Sequence, residues 1–83
     1  PEFYISWTEG AMEFDAMPFP LLIARLSRCY NVDIQIASKE LETMKFTGVI
    51  FRNKPLDFAL DIIHRVSDVK FEKKGETILV KKQ

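Results

Sequence analysis

Apolar residues recur along the chain with two different periods, and the switches between them outline the elements. From Phe19 to Tyr30 they fall at Phe19, Leu22, Ile23, Leu26 and Cys29 or Tyr30, steps of three and four that share one side of a helix. Leu56, Ala59, Leu60, Ile63 and Val66 have the same spacing. Arg25, Ser27 and Arg28 mark the wet side of the first helix; Asp57, Asp61, His64 and Arg65 mark that of the second. After each helix the period shortens to two. Val32, Ile34 and Ile36 alternate with Asp33 and Gln35, and Val69 and Phe71 alternate with Lys70 and Glu72, as in strands with one buried face. Lys73-Lys74-Gly75-Glu76 then reads as a hairpin turn, with Gly75 supplying a positive φ. It leads into a last strand, Thr77 to Lys81, whose Ile78 and Val80 point inward.

The two halves repeat. Phe14, Pro18, Phe19, Leu22, Ile23, Leu26, Cys29, Val32 and Ile34 map, by an offset of 37, onto Phe51, Pro55, Leu56, Ala59, Leu60, Ile63, Val66, Val69 and Phe71. Every pair is apolar or proline on both sides and no gap is needed. In each copy a strand ends at Phe14 or Phe51, three residues follow, and Pro18 or Pro55 opens the helix. There a missing N–H costs nothing. Between the copies, Ala37 to Met44 is polar and begins with a short turn or helix at Ser38-Lys39-Glu40-Leu41. Gly48, inside Phe46 to Phe51, marks a bulge or a close backbone approach. The expected fold is α+β, a duplicated βαβ unit in the order β-α-β, β-α-β-β, with two helices packed on or between small sheets. Residues 1–10 read as an entry segment anchored by Trp7, and residues 11–83 as the domain.

Length and composition narrow the class. Eighty-three residues, 47% of them hydrophobic, suffice for one core but not two. Twelve basic and twelve acidic residues cancel, which argues against a module held on nucleic acid or anionic lipid by bulk charge. The longest apolar run, Phe19 to Ala24, is interrupted by Pro20 and falls far short of the ~20 residues of a membrane span.

Catalytic chemistry finds little support. A nucleophile needs a base and an orienting group, and the chain has one cysteine and one histidine. Cys29, with Val66 as its repeat mate, reads as a small buried hydrophobe, and His64 as a partly exposed helix residue one step off the apolar stripe. A single cysteine excludes an internal disulfide and multi-cysteine metal sites. Glu40 and Glu42, and Asp57 and Asp61, read as solvated surface. Gly10, Gly48 and Gly75 stand alone, with no phosphate-cradling loop. No catalytic residue, metal or cofactor is expected.

RNA binding is the competing class, because βαβ repeats occur in RNA readers. No Gly-X-X-Gly loop is present, and Phe46-Thr47-Gly48-Val49-Ile50-Phe51 does not fit the stacking strand of an RNA-recognition motif. Lys70, Lys73, Lys74, Lys81 and Lys82 gather around the last hairpin, where lysines commonly protect a sheet edge. Glu72 and Glu76 interrupt them.

One family resemblance runs from Trp7 to about Lys82. Trp7-Thr8-Glu9-Gly10, Phe14, Pro18, Leu26-Ser27-Arg28-Cys29-Tyr30-Asn31-Val32, Thr47-Gly48, Leu56, Leu60 and the Phe71 hairpin, in that order, resemble the C-terminal periplasmic domain of FecR-like anti-sigma factors. The plan is also similar to the short N-terminal signalling domain of secretins and TonB-dependent receptors. Phe19-Pro20 departs from the leucine and acidic residues expected there in relatives. The resemblance implies a non-catalytic periplasmic domain of an inner-membrane protein of a Gram-negative bacterium. Its cytosolic part would hold an extracytoplasmic-function sigma factor. The domain itself would contact the signalling domain of a TonB-dependent outer-membrane receptor and relay ligand loading. The receptor-side domain remains the alternative, with an RNA-binding module behind it. No contact residues follow from the resemblance. Physical reasoning instead nominates strand edges, where a partner strand adds through backbone hydrogen bonds. The candidates are Thr77 and Leu79 on the last strand, Val49 and Phe51 on the strand before the second helix, and Trp7 as an aromatic anchor.

Overall fold

The structure, a computed structural model, describes residues 4–8 and 10–83, with side chains from residue 10 onward. Its elements run β1 (Tyr4–Thr8), β2 (Ala11–Pro18), α1 (Phe19–Tyr30), β3 (Asp33–Ile36), a 3-10 turn (Lys39–Thr43), β4 (Lys45–Phe51), α2 (Leu56–Val66), β5 (Val69–Lys74) and β6 (Thr77–Lys82). The α+β class and the duplicated β-α-β order are as the periodicity predicts. The segment read as an entry linker instead supplies a strand: β1 pairs antiparallel along β2, with Tyr4 opposite Asp15 and Thr8 opposite Ala11. The described strands therefore number six, not five.

They form two separate three-stranded sheets. The first, in the order β1-β2-β4, is antiparallel throughout. The second, β3-β6-β5, has β6 in the middle, parallel to β3 and antiparallel to β5. Each repeat thus starts in one sheet and ends in the other. Each helix touches strands of both: α1 meets β2, β4 and β3, while α2 meets β4 and β5. One continuous core results. Met12, Phe14, Met17, Phe46 and Ile50 come from the first sheet, and Ile34, Val69, Ile78 and Val80 from the second. The helix stripes Phe19-Leu22-Ile23-Leu26 and Ala59-Leu60-Ile63 lie among them.

The offset of 37 holds from the helices onward. α1 and α2 begin at mates Phe19 and Leu56, and the residues that end the turns after them are also mates. Asn31 (φ 54°) and Asp68 (φ 40°) both sit in left-handed conformations, which Asn and Asp tolerate better than other side chains. The entry strands differ. β4 ends at Phe51 and a turn leads to Pro55, whereas β2 continues through Pro18. Both prolines cap their helices from just outside rather than occupying the first helical position. The first helical N–H of α1, on Phe19, is satisfied at 2.8 Å by the Met44 carbonyl.

β2 extends because of a bulge. Phe14 faces Gly48 and Met17 faces Phe46, so Asp15 and Ala16 together oppose Thr47. Ala16 has a φ of 55°, and its N–H donates to the Thr47 hydroxyl at 3.0 Å. Strict alternation would turn Met17 outward. The extra residue returns it to the core beside Phe14. Gly48 serves the other purpose proposed for it, close approach: a Cβ there would lie 2.8 Å from Cζ of Phe46. The Phe46 ring is fully buried and meets Phe14 edge-on at 6.1 Å.

Cys29 is a correction. It is exposed, as is its mate Val66. A helix turns 3.6 residues at a time, so the position inward after Leu26 is nearer 30 than 29. Tyr30 takes that place, half-buried against the core.

Gly48→Ala should destabilise the domain by about 1–3 kcal/mol, because the added Cβ would force the buried Phe46 ring to shift. Urea unfolding would measure it, and an unchanged midpoint would show that the ring yields.

Candidate partner-binding edge

β4 forms one of the two edges of the first sheet. In an antiparallel pair, residues alternate between those that exchange hydrogen bonds with the neighbour and those whose N–H and C=O turn away. The Arg52 N–H donates to the Gly10 carbonyl at 3.0 Å, and Phe51 lies opposite Ala11. The alternation then assigns Ile50 and Gly48 to bonding with β2, and turns the polar backbone of Val49 and Phe51 to the free side. Among the described residues no strand flanks that side. The outward Phe51 carbonyl is already engaged, accepting the Lys54 N–H at 3.3 Å and the Tyr30 hydroxyl at 3.4 Å.

The edges of the second sheet are better guarded, whereas β1, the opposite edge of the first sheet, also carries neither charge nor proline. β5 carries Lys70, Lys73 and Lys74, and β3 is only four residues long. From Phe46 to Phe51, β4 has no charge and no proline. Its end is also apolar in its side chains. Phe51 is 39% exposed and Phe58, from the first turn of α2, is 42% exposed. Their rings meet edge-on at 6.2 Å, and the Lys54 ammonium sits 5.8 Å from the Phe58 centroid.

Tyr30 fixes this corner. Its hydroxyl donates at 3.0 Å to the Lys54 carbonyl and also reaches that of Phe51, so the end of α1 pins the turn between β4 and α2. Partial burial raises the Tyr30 phenol above its usual 10, and neighbouring Cys29 adds to the shift. Periodicity places Tyr30 at the inner margin of α1, but nothing in the sequence pairs it with a turn more than twenty residues away.

The candidate residues separate under this geometry. Val49 and Phe51 share the open edge, with Val49 half-buried. Thr77 and Leu79 do not lie on an edge. β6 is hydrogen-bonded on both sides, Thr77 facing Asp33 and Lys74, and Leu79 facing Gln35 and Glu72. Strand addition to the last strand is therefore closed. Both lie half-exposed on the outer, polar face of the second sheet. Trp7 lies outside the residues with described side chains; in register it stands opposite Met12.

Three lysines of the last hairpin are closely paired. Lys81 meets Glu72 at 3.0 Å, Lys82 meets Asp68 at 3.0 Å and Lys73 meets Asp57 at 3.1 Å. The hydrogen bond from Lys81, with its charge and those of Lys70 and Lys74, holds the Glu72 carboxyl below the usual carboxylate range. Cys29 and His64 are not brought together. Cys29 borders a shallow hollow with Gly10, Arg52 and Asn53, and His64 a different one between α2 and β5. The His64 Nδ1 is hydrogen-bonded to the Val69 carbonyl; since that oxygen only accepts, Nδ1 carries the proton.

The architecture defines a fold class, a duplicated α+β module whose first sheet ends in unguarded strand edges. Family comparison supplies the particular: the chain belongs to the FecR C-terminal family, whose model matches residues 11–80. A 1.65 Å crystal structure of a Parabacteroides distasonis ATCC 8503 protein assigned as an anti-sigma factor shares the fold, with a TM-score of 0.79 and 24% identity. That match covers 90% of this chain and 35% of the other. A 2.50 Å structure of the same description gives 0.80 and 24%, covering 93% and 36%. The chain thus spans about a third of the length of these proteins. No curated protein matches it.

Tyr30→Phe should cost about 0.5–1.5 kcal/mol through its lost hydrogen bonds. Because the fold favours the neutral phenol, the wild-type contribution is complete below pH 10 and fades as pH rises through the raised value. Stability of the two proteins should therefore converge in strong alkali, and a gap that widens there would contradict this assignment.

Proposed function

We propose that this domain is the periplasmic, receptor-sensing part of a transmembrane anti-sigma factor. It binds the signalling domain of a TonB-dependent outer-membrane receptor. Ligand loading of the receptor passes through that contact to a sigma factor held by the cytosolic part of the same protein. The observation that carries the reading is the family match over residues 11–80, which favours the anti-sigma side of the contact over the receptor side. The unguarded β4 edge supports a protein as the partner. The RNA alternative loses ground to the same structure, since three of the five lysines nominated for it are held by carboxylates at 3.0–3.1 Å. No helix among the described residues is long and apolar enough to cross a membrane, so the anchor in this reading belongs to another part of the protein.

The test is a calorimetric titration of this domain with the isolated signalling domain of the receptor encoded beside it, and separately with single-stranded RNA at low salt. Saturable binding to the signalling domain and none to RNA is the expected result. Binding to RNA alone, lost when Lys73 and Lys74 are neutralised, would replace the anti-sigma reading with the RNA one.

A further inference from the structure

We propose that the open edge of β4 is the docking site itself, and that it receives an extended strand of the receptor's signalling domain. This rests on the functional reading above and specifies its geometry. The backbone of Val49 supplies both an N–H and a C=O to an incoming strand, and Phe51 supplies its N–H. The added ladder stops there, because the Phe51 carbonyl is occupied by Tyr30 and Lys54. The anchor at that end is the Phe51–Phe58 pair, whose two rings, each about two-fifths exposed, offer apolar area.

Charge selects the occupant. Residues 45–55 carry Lys45, Arg52 and Lys54 and no acidic residue, so both ends of the edge are positive. Midway, Glu13 of β2 stands opposite Val49 and is exposed. The strand that fits is uncharged where it passes Val49, acidic near Lys45 and Lys54, and apolar where it meets Phe51. A second copy of this β4 is a poorer match, since antiparallel pairing about Val49 would bring Lys45 of each copy toward the Arg52–Lys54 end of the other.

The experiment is amide hydrogen exchange on this domain with and without the receptor's signalling domain, together with affinities of two variants. Val49→Pro removes one outward N–H and leaves the bonds to β2, as proline does on edge strands. Lys54→Glu reverses the end charge without touching the strand. Binding should slow exchange at Val49 and Phe51. Each variant should weaken affinity at least tenfold, with Leu79→Glu as the unaffected control. Unchanged exchange at those amides with wild-type affinity in Lys54→Glu would overturn the site while leaving the receptor reading intact; this arm stands even if Val49→Pro fails to fold. No binding by the wild-type domain would overturn both. Protection that appears with protein concentration alone would assign the edge to a second copy and overturn the proposed occupant.

Discussion

Neither repeat can complete a sheet by itself, and the rest of the structure follows from that constraint. A β-α-β unit usually returns its second strand to the sheet it left. Here β2 and β4 lie in one sheet while β3 and β5 lie in the other, and the helices cross between them. A single copy would expose one face of two lone strands and the stripe of its helix. Two copies give the first sheet a direct β2–β4 pair. The second sheet needs a further strand, because β3 and β5 do not touch; β6 enters between them and bonds to both. The hairpin at Gly75 (φ 62°) therefore supplies the strand that holds β3 and β5 in one sheet.

Periodicity was informative wherever a residue's role depended on its own neighbours. The helix stripes, the alternating return strands and the hairpin all depend on local spacing, and the duplication follows from comparing them. Position within a sheet does not depend on local spacing. Thr77 to Lys81 alternates identically whether the strand is an edge or a centre with one buried face, so the interior place of β6 is invisible to pattern. The β2 bulge was obscured similarly. Phe14 and Met17, three apart and both buried, look like the end of a strand unless Ala16 adopts a positive φ, which its identity does not announce. The left-handed pair Asn31 and Asp68 carries a signal that the helix and strand periods do not use: both are types that tolerate αL, and they stand 37 apart.

The candidate edge was half legible for the same reason. The uncharged run Phe46–Phe51 is visible in the chain, and its lack of lysine or proline gatekeepers contrasts with the lysine-rich β5. What makes it a site is long-range. Tyr30 reaches from the first copy to the turn of the second, and Phe58, on the wet side of α2 by spacing, joins the proposed edge only because Phe51 lies beside it.

That long-range tie also joins the edge to the first copy of the repeat. A strand docked on β4 meets a backbone whose far side is bonded to β2 and whose end is clamped by the last residue of α1. Phe46 and Ile50, on the inner face of β4, are fully buried against the helices, so a displacement of the strand has no slack to absorb it. Tyr30 makes the tie at that end, since its two acceptor carbonyls flank the turn beside the aromatic pair. From there α1 leads back to Phe19, whose N–H is held by Met44, the residue immediately before β4. Both ends of β4 are thus tied to the two ends of α1.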